Sequence, residues 1–410
     1  MNQADALHEH DGTWAAVDLF NPTPEHALLR ETIRELVRAE VEPQALEHDR
    51  DERFNLSLFR RFGALDLLGL TVPADDGGAG MDALAAVIVH EEVSVSDPGF
   101  CLAYLAHAIL YVNNVAHNAS PEQRGRLLPR AISGDALCGM GMSEPEGGTD
   151  VLGMRTTARR DGDRYLLNGR KMWITNGALD DHTPGDAFLI YAKTEQNAIS
   201  TFIVERGFPG FSLGQKIMGK LGCRASTTAE LVFDDCIVPV GNRVGDEGQS
   251  VRQMMRNLEL ERVTLAAMSL GIGLRCLREM VRWADQREAF GRPIRDFGQI
   301  QRHIAESYAQ WRAARTYTYD VARRMRLDRA DTRGGNRADS DGVKLVASTM
   351  AKDVADRAIQ VLGGYGYVAE GVVERLWRDA KLLEIGGGTL EAHQKNITRD
   401  LTRDADRLLR

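Results

Sequence analysis

The 410-residue chain is 43% hydrophobic and 27% charged, an ordinary globular composition with room for two or three domains, which excludes a disordered or fibrous chain. Its net charge of -8 gives no overall attraction to nucleic acid or to an anionic membrane, although the C-terminal third is locally rich in arginine. Small organic ligands are the expected partners, with no nucleic acid and no membrane insertion.

The cysteines, Cys101, Cys138, Cys223, Cys236 and Cys276, are scattered without CxxC spacing or a zinc-type histidine pattern, so neither a disulfide framework nor a metal site is signalled. Met1 to Trp14 lacks both an apolar core and an Arg-rich amphipathic pattern, and no apolar run is read as approaching the roughly 18 residues of a membrane-spanning helix. The expected location is cytoplasmic.

In chain order, an N-terminal arm (1–21) precedes a helical domain (22–136). Pro22 to Glu47 carries Leu28, Leu29, Ile33, Leu36, Val37 and Val41 at helical spacing, with Thr23 or Pro24 at its start. Further helices are expected over Leu58 to Leu67, Met81 to Ser94, Gly99 to His117 and Pro121 to Ile132. The texture then turns β-rich (137–245): Tyr165 to Gly169 ends in an Asn-Gly turn signal, and Ala187 to Ala192, Thr201 to Val204 and Ala229 to Phe233 are short apolar runs between breakers. Long helices return (246–410) over Ser250 to Arg287, Gln299 to Arg326, Lys344 to Gly363 and Glu370 to Ile385, with a solvated loop expected from Asp328 to Gly342. The fold class is mainly α with a central β-domain: an N-terminal helical bundle, a middle β-barrel or sandwich, and a C-terminal four-helix bundle.

Several stretches could carry chemistry. Met142-Ser143-Glu144-Pro145-Glu146-Gly147-Gly148-Thr149-Asp150, between the first bundle and the β-domain, is dense in turn formers and hydroxyls and offers donors to a polar or planar ligand. Trp173 and Thr175 set an aromatic face beside a hydroxyl, although a Trp in a strand is more often core. Arg287 to Pro293 is a basic loop suited to pyrophosphate. Gln360 to Tyr367 has a GGxG texture, but it follows a helix rather than a strand, which argues against a dinucleotide fold. Glu384 to Thr389 ends a helix in three glycines, whose bare backbone can cap the helix or approach a ligand closely. Glu261 is an anomaly: it falls on the apolar stripe of Met254, Leu258, Leu265, Met268 and Ile272, where a carboxylate is costly unless it is paired or functional. Desolvation there would raise its pKa toward that of a working general base; an inter-helix ion pair is the structural alternative.

Taken together, MSEPEGGTD, NGRKMWITNG, GKLGCRASTTAELVFDDCIVP, QREAFGRPI, QVLGGYGY and WRDAKLLEIGGGT resemble the acyl-CoA dehydrogenase family from about Pro22 to about Arg399, most nearly its isovaleryl branch. The resemblance implies a homotetrameric flavoprotein that dehydrogenates a short or branched acyl-CoA at the α,β bond, holds FAD, and passes electrons to an electron-transfer flavoprotein. It implies that Met142, Ser143 and Thr149 lie along the cofactor, that Trp173 and Thr175 meet its ring system, and that Arg287, Phe290, Gln360 and Gly364 reach the adenine end from a neighbouring subunit. Thr389 and Glu391 match further cofactor positions, although many relatives have Gln at the latter. Ser143, Arg262, Gly387 and Gly388 match substrate positions, with the Gly387 N–H on the thioester carbonyl. Most of the family carries its base inside the glycine run, where this chain has Gly387; the isovaleryl branch places a Glu on the long helix instead, and Glu261 stands there. An acyl or aminoacyl group on a carrier protein is the second reading, and a flavin oxidase or monooxygenase of the same fold the third.

Overall fold

The computed structural model describes residues 18–194, 198–327 and 337–406. Most of the expected N-terminal arm, residues 1–17, and residues 328–336 of the expected loop lie outside these.

Thr23 caps α1 (Pro24–Leu36) by accepting the His26 N–H, and Pro24 fills the first turn, where its missing donor costs nothing. The helical path runs on through a π-helical turn (Val37–Val41) into α2 (Glu42–Arg50), followed by α3 (Leu56–Ala64), α4 (Ala83–Ser94) and α5 (Pro98–Leu105). A π-helical segment (Ala106–Asn113) joins α5 to α6 (Asn114–Asn118), and α7 (Pro121–Ile132) starts on a Ser120/Gln123 capping box. The continuous path Pro98–Asn118 is 21 residues long and apolar enough to cross a bilayer, which corrects the expectation that no run approaches that length. It is a core helix here, since 89% of its apolar window is buried in protein.

The eight strands of one sheet follow: β1 (Cys138–Gly141), β2 (Thr157–Asp161), β3 (Arg164–Thr175), β4 (Ala187–Lys193), β5 (Ile199–Glu205), β6 (Phe211–Lys216), β7 (Thr228–Pro239) and β8 (Arg243–Val244). Their order is β6-β7-β3-β2-β4-β5-β8, with β1 added parallel to β4. The Asn168-Gly169 pair makes no turn. It lies inside β3 at a bulge in the β3/β7 register, where Gly169 takes φ +144° and a Cβ would lie 2.6 Å from Thr156 Oγ1.

The C-terminal helices are α8 (Ser250–Gln286), α9 (Gly298–Arg324), α10 (Arg337–Leu362), α11 (Gly364–Tyr367), α12 (Val372–Leu383) and α13 (Leu390–Arg403), with a two-stranded hairpin of β9 (Glu288–Ala289) and β10 (Arg292–Pro293) after α8. Arg337 to Gly342, expected as loop, is the first part of α10, and Ser340 and Asp341 are buried. Packing overrides the local Asp/Gly signal there.

One apolar core runs through both helical regions, from Ile33, Leu68 and Val87 to Leu270, Val354 and Leu376. A buried charge cluster reinforces the join: Arg30 of α1 bonds Glu91 and Glu92 of α4 and Tyr319 of α9. The sheet has its own core around Tyr165, Phe188, Phe202 and Leu231. A further small cluster of Met142, Met154, Tyr191, Ile199 and Met254 joins the loop after β1, the sheet and the first turns of α8.

Candidate active site

Helix α8 is buried on every side from Leu260 to Gly273, so a carboxylate in that stretch has to face protein. Glu261 does so at 7% exposure, and among the described residues its Oε2 has no hydrogen-bond partner. Burial pushes its carboxyl up to about 7, against the pull of the Arg262 and Lys344 cations. Its field also reaches Tyr191 of β4, whose phenol burial holds at about 12 and whose oxygen accepts from Asn114 Nδ2 at 3.3 Å. The ion pair weighed for Glu261 belongs to its neighbour: Arg262 Nη1 lies 3.2 Å from Asp341 Oδ1, both side chains being buried. Glu259 is half-buried.

The glycine run is both a helix end and a close approach. Gly386 N–H bonds Leu382 O at 2.7 Å to close α12, and Thr389 caps α13 through the Ala392 N–H. Between them Gly387 and Gly388 take φ +67° and +107°, conformations that side chains rarely adopt. A Cβ on Gly387 would lie 3.4 Å from Glu261 Oε1 and would overlap Leu265 Cδ1. Glu261 therefore reaches into the space a side chain at position 387 would fill, and the sequence-predicted base and carbonyl donor meet.

Three further buried groups surround this pair. His393 Nδ1 lies 2.5 Å from Asp341 Oδ1, and its Nε2 lies 3.0 Å from Gly388 O. Lys344 donates to Leu383 O; burial pulls its amine down to about 8 despite the Glu261 carboxylate.

The loop after β1 is organised by Glu144. Its carboxylate accepts from Thr156 N–H at 2.9 Å, Arg155 N–H at 2.6 Å and Lys171 Nζ at 2.9 Å. Burial pushes this carboxyl up, but bonds from Thr156, Arg155 and Lys171 outweigh it and hold it at about 2. Lys171→Met, leaving Glu144 buried without its cation, is expected to cost about 3–5 kcal/mol, read as a fall in unfolding midpoint. Glu144, so fixed, leaves Ser143 half-buried and Thr149 exposed.

Met172 N–H donates to Ser143 O at 2.9 Å, which sets Trp173 beside that loop. Trp173 is not core: it is 62% exposed and sits at φ +64° inside the β3 irregularity. A large aromatic held out of the core at a backbone cost of about 1–2 kcal/mol calls for a ligand to cover it. Thr175 ends the same strand, half-buried opposite Thr228.

The remaining expected residues lie on exposed segments. Phe290 is 96% exposed at φ +53° in the β9–β10 hairpin, with Arg287 exposed beside it; Gln360 and Gly364 are exposed where α10 ends. A Trp283–Tyr365 ring contact at 4.8 Å links the two segments. Among the described residues, no hydrogen bond or ring contact joins Arg287, Phe290, Gln360 or Gly364 to Trp173 or the Ser143 loop. Glu391 is exposed on the first turn of α13.

Family models for the N-terminal, middle and C-terminal domains of acyl-CoA dehydrogenases match residues 23–135, 139–236 and 248–402. The mitochondrial isovaleryl-CoA dehydrogenase of Oryza sativa subsp. japonica is 38% identical over 98% of this chain and 97% of its own. The chain belongs to the acyl-CoA dehydrogenase family. Butyryl-CoA dehydrogenase from Megasphaera elsdenii superposes with a TM-score of 0.86 at 31% identity, covering 93% of this chain and 99% of that one. A glutaryl-CoA dehydrogenase from Mycobacterium smegmatis, crystallised in complex with FADH2, gives 0.86 at 28%, covering 93% and 96%. As an acyl-CoA dehydrogenase the chain is an oxidoreductase, and its three-part α-β-α fold is that of the family. Sequence reasoning found Glu261 and the glycine run but passed over Asp341, Lys344, His393 and the Glu144–Lys171 pair.

Proposed function

We propose that this acyl-CoA dehydrogenase uses FAD to oxidise a short or branched-chain acyl-CoA to the 2-enoyl-CoA, with Glu261 removing the α-proton and an electron-transfer flavoprotein taking the electrons. The observation that carries the reading is the buried Glu261 carboxylate, unpartnered at Oε2 among the described residues and facing the backbone of Gly387.

The residues present fit the cofactor. Trp173 offers an uncovered aromatic face beside the Ser143–Thr149 loop and Thr175, which would hold the ring system and pyrophosphate; Met142 closes the apolar side of that loop. When bound, FAD supplies the two-electron acceptor for the hydride leaving the β-carbon. Exposed Arg287, Phe290, Gln360 and Gly364 suit contact with a cofactor held by a neighbouring subunit of a homotetramer, and Thr389 and Glu391 would add contacts after the glycine run.

Glu261, held largely neutral by burial until the pH passes its raised pKa, accepts the α-proton on Oε1 or Oε2. The Gly387 N–H donates to the thioester oxygen as negative charge builds there, a single preorganised donor being worth about 2.7–4 kcal/mol of barrier. Burial of Glu261 raises its pKa to about 7, which makes the carboxylate basic enough to meet a weak carbon acid.

The base must be ionised, so kcat/KM is expected to rise with pH and level off above about 7, and a profile already flat through pH 6 would reject Glu261 as the titrating group. The function itself is tested by anaerobic mixing with straight, branched and carrier-bound acyl thioesters. Bleaching of flavin absorbance by short or branched CoA thioesters supports the reading; bleaching by carrier-bound thioesters alone overturns the choice of CoA.

A further inference from the structure

The geometry points to Asp341 and His393 as positioning residues: with Arg262 they form a side-chain chain that ties the helix carrying the base to the glycine run carrying the carbonyl donor. This rests on the reading of Glu261 as base and Gly387 as donor.

The chain is continuous and buried. Arg262, one residue beyond the base on α8, pairs with Asp341 Oδ1 at 3.2 Å. The same oxygen meets His393 Nδ1 at 2.5 Å, and the opposite ring nitrogen meets Gly388 O at 3.0 Å. His393 and Asp341 are both 0% exposed. A carbonyl only accepts, so Nε2 must carry the hydrogen that meets Gly388 O, while Nδ1 lies against the Asp341 carboxylate. Burial, with the Lys344 and Arg262 cations, pulls the imidazole below its usual pKa, and Asp341 opposes that pull only in part.

The glycine run needs such a hold. Gly387 and Gly388 have no side chains to restrict them, and Gly386 is anchored from the front by Leu382 O. His393 supplies the anchor at the rear. Its ring also fills the space beside Gly388, where a Cβ would lie 3.0 Å from His393 Cε1. Releasing it would let the Gly387 N–H drift relative to Glu261, and a displacement of about 1 Å in a reacting geometry costs on the order of 10²-fold in rate.

The test uses the FAD-loaded enzyme and three variants: His393→Leu, which cannot donate; His393→Gln, whose amide N–H can reach Gly388 O; and Asp341→Asn, which weakens the link to Arg262. Flavin content, KM, the anaerobic bleaching rate with a short acyl-CoA, and hydrogen exchange in the peptide spanning Glu384 to Leu390 are followed. His393→Leu is expected to keep its FAD and KM while bleaching slows about tenfold or more and exchange in that peptide quickens about tenfold. His393→Gln is expected to return both within about threefold. Parent-like bleaching and exchange in His393→Leu overturn the proposal, as does a loss that His393→Gln leaves unrelieved. Where His393→Leu does not retain FAD, Asp341→Asn decides: kcat should fall about threefold at unchanged KM, and an unchanged kcat overturns it. A parent that no short acyl-CoA bleaches sinks the functional reading instead, and the exchange comparison then decides the tether alone.

Discussion

Glu261→Gln is expected to bind FAD and thioester normally and to bleach roughly 10²–10⁴-fold more slowly than the parent, the range by which a positioned general base accelerates proton transfer. The amide keeps the shape of the carboxylate in a site buried on every side, so lost rate with retained FAD isolates the chemistry. Wild-type bleaching by this variant would end the assignment. Stability should move the other way. The unfolded carboxyl titrates near 4.5 and the folded one near 7, so the unfolded state ionises first and stability falls as pH rises between those values. At pH 8 the parent carries that cost in full, on the order of 3 kcal/mol, and Glu261→Gln should unfold later there; below pH 4 the two should unfold together.

Moving the base is expected to need two changes rather than one. In a Glu261→Gly background, Gly387→Glu places a side chain at φ +67°, a cost of about 1–2 kcal/mol, and drives its Cβ into Leu265 Cδ1. Gly387→Glu with Leu265 intact should therefore recover little. Adding Leu265→Ala opens the space, and bleaching should rise at least about tenfold over the Gly387→Glu background, while staying short of the parent because the backbone strain remains. Single-turnover bleaching separates the two. Full recovery without touching Leu265 would show that the leucine yields freely and that steric exclusion at position 387 is not what keeps the base on α8.

The periodic signals carried far. Glu261 could be found because α8 has an apolar stripe dense enough for one carboxylate to stand out, and the α-β-α order followed from a change of period. The same test missed Lys344 because it was taken as the first residue of its helix, with no stripe yet established behind it. Asp341 was lost with it: Asp328 to Gly342 reads as solvated loop from composition, yet residues 337–342 continue α10 and Asp341 is buried against His393. Trp173 could be placed beside a cofactor only through the family resemblance, not from its strand pattern. Strand alternation places a tryptophan in the core, and a local break in the β3/β7 register, invisible to a period of two, turned it outward. The Asn168-Gly169 pair misled similarly, since the glycine answers to the crowding of Thr156 rather than to a turn.

Where one peptide segment both polarises a carbonyl and deprotonates its neighbour, damage to either function damages the other. On the proposed assignment the proton acceptor rides on α8 and the carbonyl donor on the link between α12 and α13, well apart along the chain. The two functions are separable by single substitutions. A variant silenced only at residue 261 keeps the oxygen-binding half intact, and should hold an unreacted acyl thioester long enough for the acyl pocket to be seen directly with its natural occupant.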